Sequence, residues 1–183
     1  MKRFLLWTFA FLVFSNPAFA DIDSGPKVGE KVTELKVQAV IGAIEGKEVD
    51  YAAERKDKPT VYVFVQAELF TRPIARYMKE LDKVIAATGK DTYVVAVWLT
   101  ADKDKTKSYL PLVHGSLKFE ATALTFFDGK TGPADWAIND RAHLTTIIVK
   151  EGKVLERFAY QSANDTDVPK VEEVVKKAIE EKK

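Results

Sequence analysis

Between Thr60 and Ile85 the hydrophobic pattern changes period. Thr60 to Val65, TVYVFV, is a nearly unbroken run of β-branched and aromatic residues. A run of that kind predicts a strand covered on both faces, as in a parallel sheet. After the short loop QAELF, apolar residues recur at Ile74, Tyr77, Met78, Leu81 and Ile85, the spacing of one buried helix face. Thr71 stands where an N-cap belongs, Pro73 is tolerated in the first turn, and Gly89 supplies a stop.

The flanking segments fill in an alternating order. VTELKVQAVI, Val32 to Ile41, predicts a strand, Gly42 to Lys47 a turn, EVDY a short paired strand and ERKDKP a charged loop. Thr92 to Thr100, TYVVAVWLT, predicts a second apolar strand. ADKDKTKSYLPLVHG reads as a loop and a helix that Pro111 kinks or ends. ALTFF reads as a strand, and GPADWAIN as one or two helical turns. TTIIVKEGKVLERFAY predicts two strands turning at Glu151-Gly152. Asp167 and Pro169 open a last amphipathic helix through Val171, Val174, Val175 and Ala178. Two apolar strands around a helix make a right-handed βαβ unit, and the hairpin adds antiparallel strands. The expected fold class is α/β, a mixed central sheet with helices on both faces.

The first twenty residues stand apart. Lys2 and Arg3 precede the apolar run Phe4 to Phe14, and Ala18-Phe19-Ala20 fits a small-x-small cleavage site. This is the pattern of a secretory signal peptide, and a run of about 11 apolar residues is short for a span needing about 20. The expected organisation is a signal peptide over 1–20, a flexible polar leader over 21–29 carrying Gly25 and Pro26, and one domain over 30–183. The expected compartment is the periplasm or the exterior, with no stable membrane insertion after cleavage.

Charge and cysteine content narrow the chemistry. Without Lys2 and Arg3 the basic count falls two below its 28, against 27 acidic residues. A near-neutral balance gives no electrostatic case for nucleic acid or an anionic membrane. The chain has no cysteine, so thiol chemistry and thiolate metal sites are excluded, even in a compartment that permits disulfides. The G-K-T of DGKTG does not make a phosphate loop, because the motif's first glycine would fall at Leu124.

Three segments together resemble the thioredoxin-like superfamily, most closely its exported peroxiredoxin-related and thiol-disulfide branches. KPTVYVFVQAELFTRPIARYMKELD is similar to the strand, redox loop and helix of that family. DTYVVAVWLTADKD is similar to its next strand, and AHLTTIIVKEGKVLERFAY to its closing hairpin. The resemblance covers about residues 28 to 180 and implies a thioredoxin-like fold. It departs from the family at the site. Matching Pro73 to the family proline puts Thr71 and Ile74 at the two cysteine positions; matching AEL to the strand exit puts Phe70 and Pro73 there. We prefer the first, which keeps proline in the helix's first turn. Where family members carry a cis-proline before the hairpin, this chain has Leu144. A cis bond there would cost about 2.5–4 kcal/mol, so a trans His143–Leu144 peptide is expected.

The resemblance implies a candidate binding groove between two segments: Glu68, Phe70, Thr71, Arg72, Pro73, Ile74 and Arg76 on one side, and His143, Leu144 and Thr145 on the other. A threonine hydroxyl needs a neighbouring general base to become a nucleophile; as a helix cap it contributes about 1 kcal/mol. Capping is the expected role of Thr71. Arg72 and Arg76, one turn apart, either hold an anionic group or line a solvated face. His143 either joins Glu68 or Asp140 in a polar cluster or is an exposed loop residue, and His114 suits a helix end. Trp98 is expected in the core, and Trp136, Phe126 and Phe127 at a sheet edge or a groove. No spacing asks for a metal or cofactor. The expected function is a catalytically degenerate thioredoxin-like domain with a binding or structural role, taking a protein or peptide partner. The alternatives are a non-thiol enzyme or small-ligand site built on Glu68, Thr71, Arg72 and His143, and a non-catalytic partner of a redox system. Nothing in the sequence specifies an oligomeric state.

Overall fold

The computed structural model describes residues 22–89 and 91–180; the signal-peptide expectation for 1–20 falls outside them. The elements are β1 (Lys36–Ile41), β2 (Glu48–Asp50), α1 (Tyr51–Arg55), β3 (Thr60–Gln66), α2 (Arg72–Thr88), β4 (Tyr93–Thr100), α3 (Lys103–Leu117), β5 (Thr122–Asp128), β6 (Leu144–Lys150), β7 (Lys153–Tyr160) and α4 (Val168–Glu180). Single 3-10 turns occupy Ala67–Leu69, Ala134–Trp136 and Asp165–Asp167. The seven strands form one sheet in the order β2-β1-β5-β4-β3-β6-β7. β3, β4 and β5 are parallel, and the remaining pairs are antiparallel.

β3 sits inside this sheet, paired with β4 on one edge and β6 on the other. All seven of its residues are buried. Val61, Val63 and Val65 face one layer, with Ile74, Tyr77, Met78, Leu81 and Ile85 of α2; Tyr62 and Phe64 face the other, with Tyr51 and Trp136. The continuous apolar run is therefore the signature of a strand with two buried faces. The helices are shared unequally between those faces. α2, α3 and α4 all contribute to the first layer. The second is closed by the short α1 and by Trp136, whose ring lies 5.0 Å from Tyr62 and 5.3 Å from Phe64.

Three local readings change. ERKDKP does not begin in a loop, because Asp50 starts α1: its Oδ1 accepts from the amides of Ala52 (3.0 Å) and Ala53 (3.3 Å), and also from Leu35 (2.9 Å). α3 continues through Pro111 to Leu117, where Lys118, at φ 55°, ends it. Pro111 is exposed, so the hydrogen bond it removes faces water. Residues 22–29, expected as a flexible leader, are docked. Ser24 Oγ lies 2.7 Å from Thr145 Oγ1 and accepts from the Asn139 amide. Arg157 donates to the Gly25 carbonyl and pairs with Asp23, both at 2.6 Å. The chain crosses β6 at Gly25, where a Cβ would stand 3.1 Å from Ile147 Cδ1 and φ is +96°; glycine meets both demands.

The hairpin turns at Glu151 (φ 53°) and Gly152 (φ 68°), the doubly positive pair of a two-residue turn. Asn164 and Asp167 form a capping box that leads into α4. Deep between α2 and the start of β5, the Asp82 carboxylate accepts from the amides of Glu120 and Ala121 (2.9 Å each) and from Thr122 Oγ1 (2.6 Å). This carboxylate fixes the α3–β5 connection to α2. Replacing Asp82 with Ala leaves those donors without their acceptor, and the expected cost is about 3 kcal/mol, read as a lower urea midpoint with an unchanged m-value.

Candidate functional site

The candidate site begins where β3 ends. Gln66, still buried, donates its side-chain amide to the Lys130 carbonyl (2.7 Å), and its backbone amide donates to the His143 carbonyl (3.0 Å). The chain then makes the 3-10 turn Ala67–Leu69 and reaches Phe70. The half-buried Phe70 ring packs 5.4 Å from Trp98 and 6.3 Å from Tyr109. Phe70 thereby ties the loop toward α3.

Thr71 occupies the N-cap position of α2 with extended φ and ψ, but its hydroxyl makes no capping hydrogen bond. Its carbonyl accepts from the Ala75 amide at 2.9 Å, so the backbone alone starts the helix. The capping role expected for this side chain is thus not what the structure shows. Pro73 lies in the first turn, and Ile74 is 1% exposed in the core. Arg72 is exposed and makes no hydrogen bond or ion pair among the described residues. Arg76, one turn on, turns the other way: it donates to Asn164 Oδ1 (3.1 Å) and pairs with Asp165 (3.5 Å) at the start of α4. The two arginines do not converge on one group.

The opposite segment is largely closed. The His143 amide donates to the Tyr160 carbonyl at 2.8 Å, and its side chain is half-buried. Leu144 is 0% exposed, and Thr145, 1% exposed, bonds Ser24 on the other face of the sheet. No cis peptide occurs among the described residues, so the His143–Leu144 bond is trans. Glu68 is exposed and pairs with Lys130 at 3.7 Å. Among the described residues no hydrogen bond or ion pair joins any two of Glu68, Thr71, Arg72, Asp140 and His143, and no group of three His, Asp or Glu is placed to hold a metal ion. Behind Leu144, Tyr77 OH lies 2.8 Å from Thr146 Oγ1, and burial pushes the Tyr77 phenol far above its usual range.

The open surface at the start of α2 faces α3. One cleft of about 300 Å³ is lined by Ala67, Glu68, Phe70, Trp98, Thr100, Asp102, Lys105, Thr106 and Tyr109. A second, of about 400 Å³, is lined by Phe70, Thr71, Arg72, Ala75, Tyr109, Leu112, Val113, Ser116 and Leu117. Phe70 and Tyr109 border both. Trp98 is core, as expected, but it also reaches the first cleft, and its Nε1 is buried with no partner among the described residues. Trp136 and Phe126 are core residues and Phe127 is half-buried on the second layer. Sequence reasoning missed Tyr109 and Leu112, which are 43% and 68% exposed; two large apolar residues on the outer side of a helix were the available signal.

No protein-family model matches the sequence, and no curated protein matches it. Solved structures do. A putative thiol:disulfide interchange protein DsbE from Chlorobium tepidum superposes with a TM-score of 0.64 at 16% identity, covering 83% of this chain and 97% of its own. The fold is thioredoxin-like. A peroxiredoxin-like protein from Aquifex aeolicus gives a TM-score of 0.54 at 20% identity, covering 84% and 91%. BsSco, a member of the Sco family of cytochrome c oxidase assembly proteins, gives 0.57 at 14%, covering 84% and 98%. This chain carries the thioredoxin-like fold without a single cysteine.

These contacts set the weight of each residue at the start of α2. Thr71→Ala removes a hydroxyl with no partner and is expected to change stability by no more than about 0.5 kcal/mol. Phe70→Ala strips the ring from Trp98 and Tyr109 and is expected to cost about 1–2 kcal/mol. Urea unfolding of the two variants side by side checks the order.

Proposed function

We propose that this chain is an exported, catalytically degenerate thioredoxin-like domain that binds a protein or peptide partner and performs no thiol–disulfide exchange. The observation that carries the reading is the absence of any thiol from a chain that keeps the whole fold. The Chlorobium tepidum DsbE is a putative thiol:disulfide interchange protein, and BsSco has a disulfide switch. Both chemistries require cysteine, so neither passes to this chain with the fold. Function resides in the site placed on a fold, and a fold outlasts its site.

A hydroxyl at Thr71 does not substitute for the thiol. The N-terminus of α2 would acidify a thiol, but an alcohol needs a base within hydrogen-bond reach, and Thr71 has none among the described residues. The same lack of contact between Glu68, Arg72 and His143 weighs against a non-thiol enzyme built from them. What the loop does offer is a rigid helix start with aromatic and aliphatic side chains at its open side, which suits binding.

Export rests on the Lys2-Arg3 n-region, the Phe4–Phe14 run and the Ala18–Ala20 cleavage pattern. Among the described residues no helix is long and apolar enough to cross a membrane. Protein expressed with its own leader is expected to have an intact mass that starts at Asp21, and the purified chain is expected to reduce no insulin in the presence of dithiothreitol above the reagent's own rate. Catalysed insulin reduction by clean protein would overturn this reading.

A further inference from the structure

We propose that residues 23–30 form a strap that closes only after the export signal has been cut away, so that docking of the strap and cleavage of the Ala20–Asp21 bond exclude each other. This rests on the export reading above and adds the order of the two events.

The strap is held at both ends. The Asp23 carboxylate pairs with Arg157 at 2.6 Å, and the Asp23 carbonyl accepts from Asn139 Nδ2 at 3.2 Å. Ser24 is buried, with its hydroxyl between the Asn139 amide (3.0 Å) and Thr145 Oγ1 (2.7 Å). The Gly25 amide donates to the Ala137 carbonyl at 3.1 Å, and the Gly25 carbonyl accepts from Arg157 at 2.6 Å. Further on, the Gly29 amide donates to the Val154 carbonyl (2.8 Å) and the Val154 amide to the Glu30 carbonyl (2.9 Å). That end of the strap therefore pairs with the outer edge of β7, the last strand of the sheet. All of these partners lie more than a hundred residues along the chain. The strap docks only once β6, β7 and the connection before them have formed its seat.

Cleavage makes the opposite demand. A protease takes the residues around its scissile bond as an open, unpaired segment, and a tied-down segment is cut through the fraction of molecules in which it has opened. Only Asp21 and Ile22 separate the cleavage bond from Asp23, the first residue of the strap. At about 3.5 Å per extended residue that bond stays within about 10 Å of Asp23 whatever course the chain takes. With the strap docked, the folded sheet stands where the protease has to approach. The cut therefore comes first, and the strap closes over β6 afterwards. A chain whose strap docks first keeps the apolar run Phe4 to Phe14 as a tether.

The test presents the purified full-length precursor, in detergent, to signal peptidase. Beside it runs a synthetic peptide of residues 10–30, which carries the same bond without the domain. The peptide is expected to be cut at least tenfold faster than the folded precursor. Arg157→Ala removes two of the strap's partners, and Gly25→Val adds a side chain against Ile147 where the strap crosses β6. Each is expected to speed cutting of the precursor at least threefold. A Gly-Ser spacer of about eight residues between Asp21 and Ile22 is expected to bring the rate up to that of the peptide. The spacer leaves the strap's contacts in place, so it separates the position of the bond from any general loss of stability. Far-ultraviolet circular dichroism verifies that each precursor is folded. A folded precursor cut as fast as the peptide, strap variants cut no faster than the wild type, or a spacer without effect would each overturn the proposed order and leave export standing. A peptide left uncut would remove the export reading itself, and the order of events with it.

Discussion

β3 is closed to water on both faces and paired along both edges, and this constraint places the rest of the molecule. Each face needs its own apolar cover. The α2 stripe covers one, and Trp136 with Tyr51 covers the other. A strand in that position has its C-terminal end at the rim of the sheet, where the order turns from β4 on one side to β6 on the other. In open α/β sheets such a rim is where ligands collect. The loop 67–71 lies at that rim.

The residues in that loop decide what the position does. Gln66 fastens one side to the His143 carbonyl and to the 128–133 connection through Lys130. Phe70 fastens the other side to Trp98 and Tyr109. Leu144, placed where the resemblance implied a groove wall, is part of the core, and Thr145 serves the opposite face of the sheet. The absence of thiols thus goes with a rim whose two sides differ. The half of the rim beside His143 is filled, and the half beside α3 is open.

The sequence carried the periodic elements well, because their cause is local. Ile74, Tyr77, Met78, Leu81 and Ile85 are all buried on α2, and the Glu151-Gly152 turn lies between two paired strands. It carried contacts between distant residues poorly. The leader looks mobile from Gly25 and Pro26, and residues more than a hundred positions away, among them Asn139, Thr145 and Arg157, hold it. Thr71 has the right type and position for a cap, and its hydroxyl orientation is not written in its neighbours. Arg76 looked like the companion of Arg72 until Asn164 and Asp165 took it. Tyr109 and Leu112 were hidden by Pro111, which read as the end of a helix that in fact continues beneath them.

The central claim is that the rim is sealed on the His143 side and open on the α3 side. Solvent paramagnetic relaxation by a neutral gadolinium chelate, read at methyl and aromatic protons of the folded protein, tests it directly. The account predicts strong relaxation enhancement at Leu112 and Tyr109 and almost none at Leu144 and Thr145. Enhancement at the Leu144 methyls equal to that at Leu112 would contradict it.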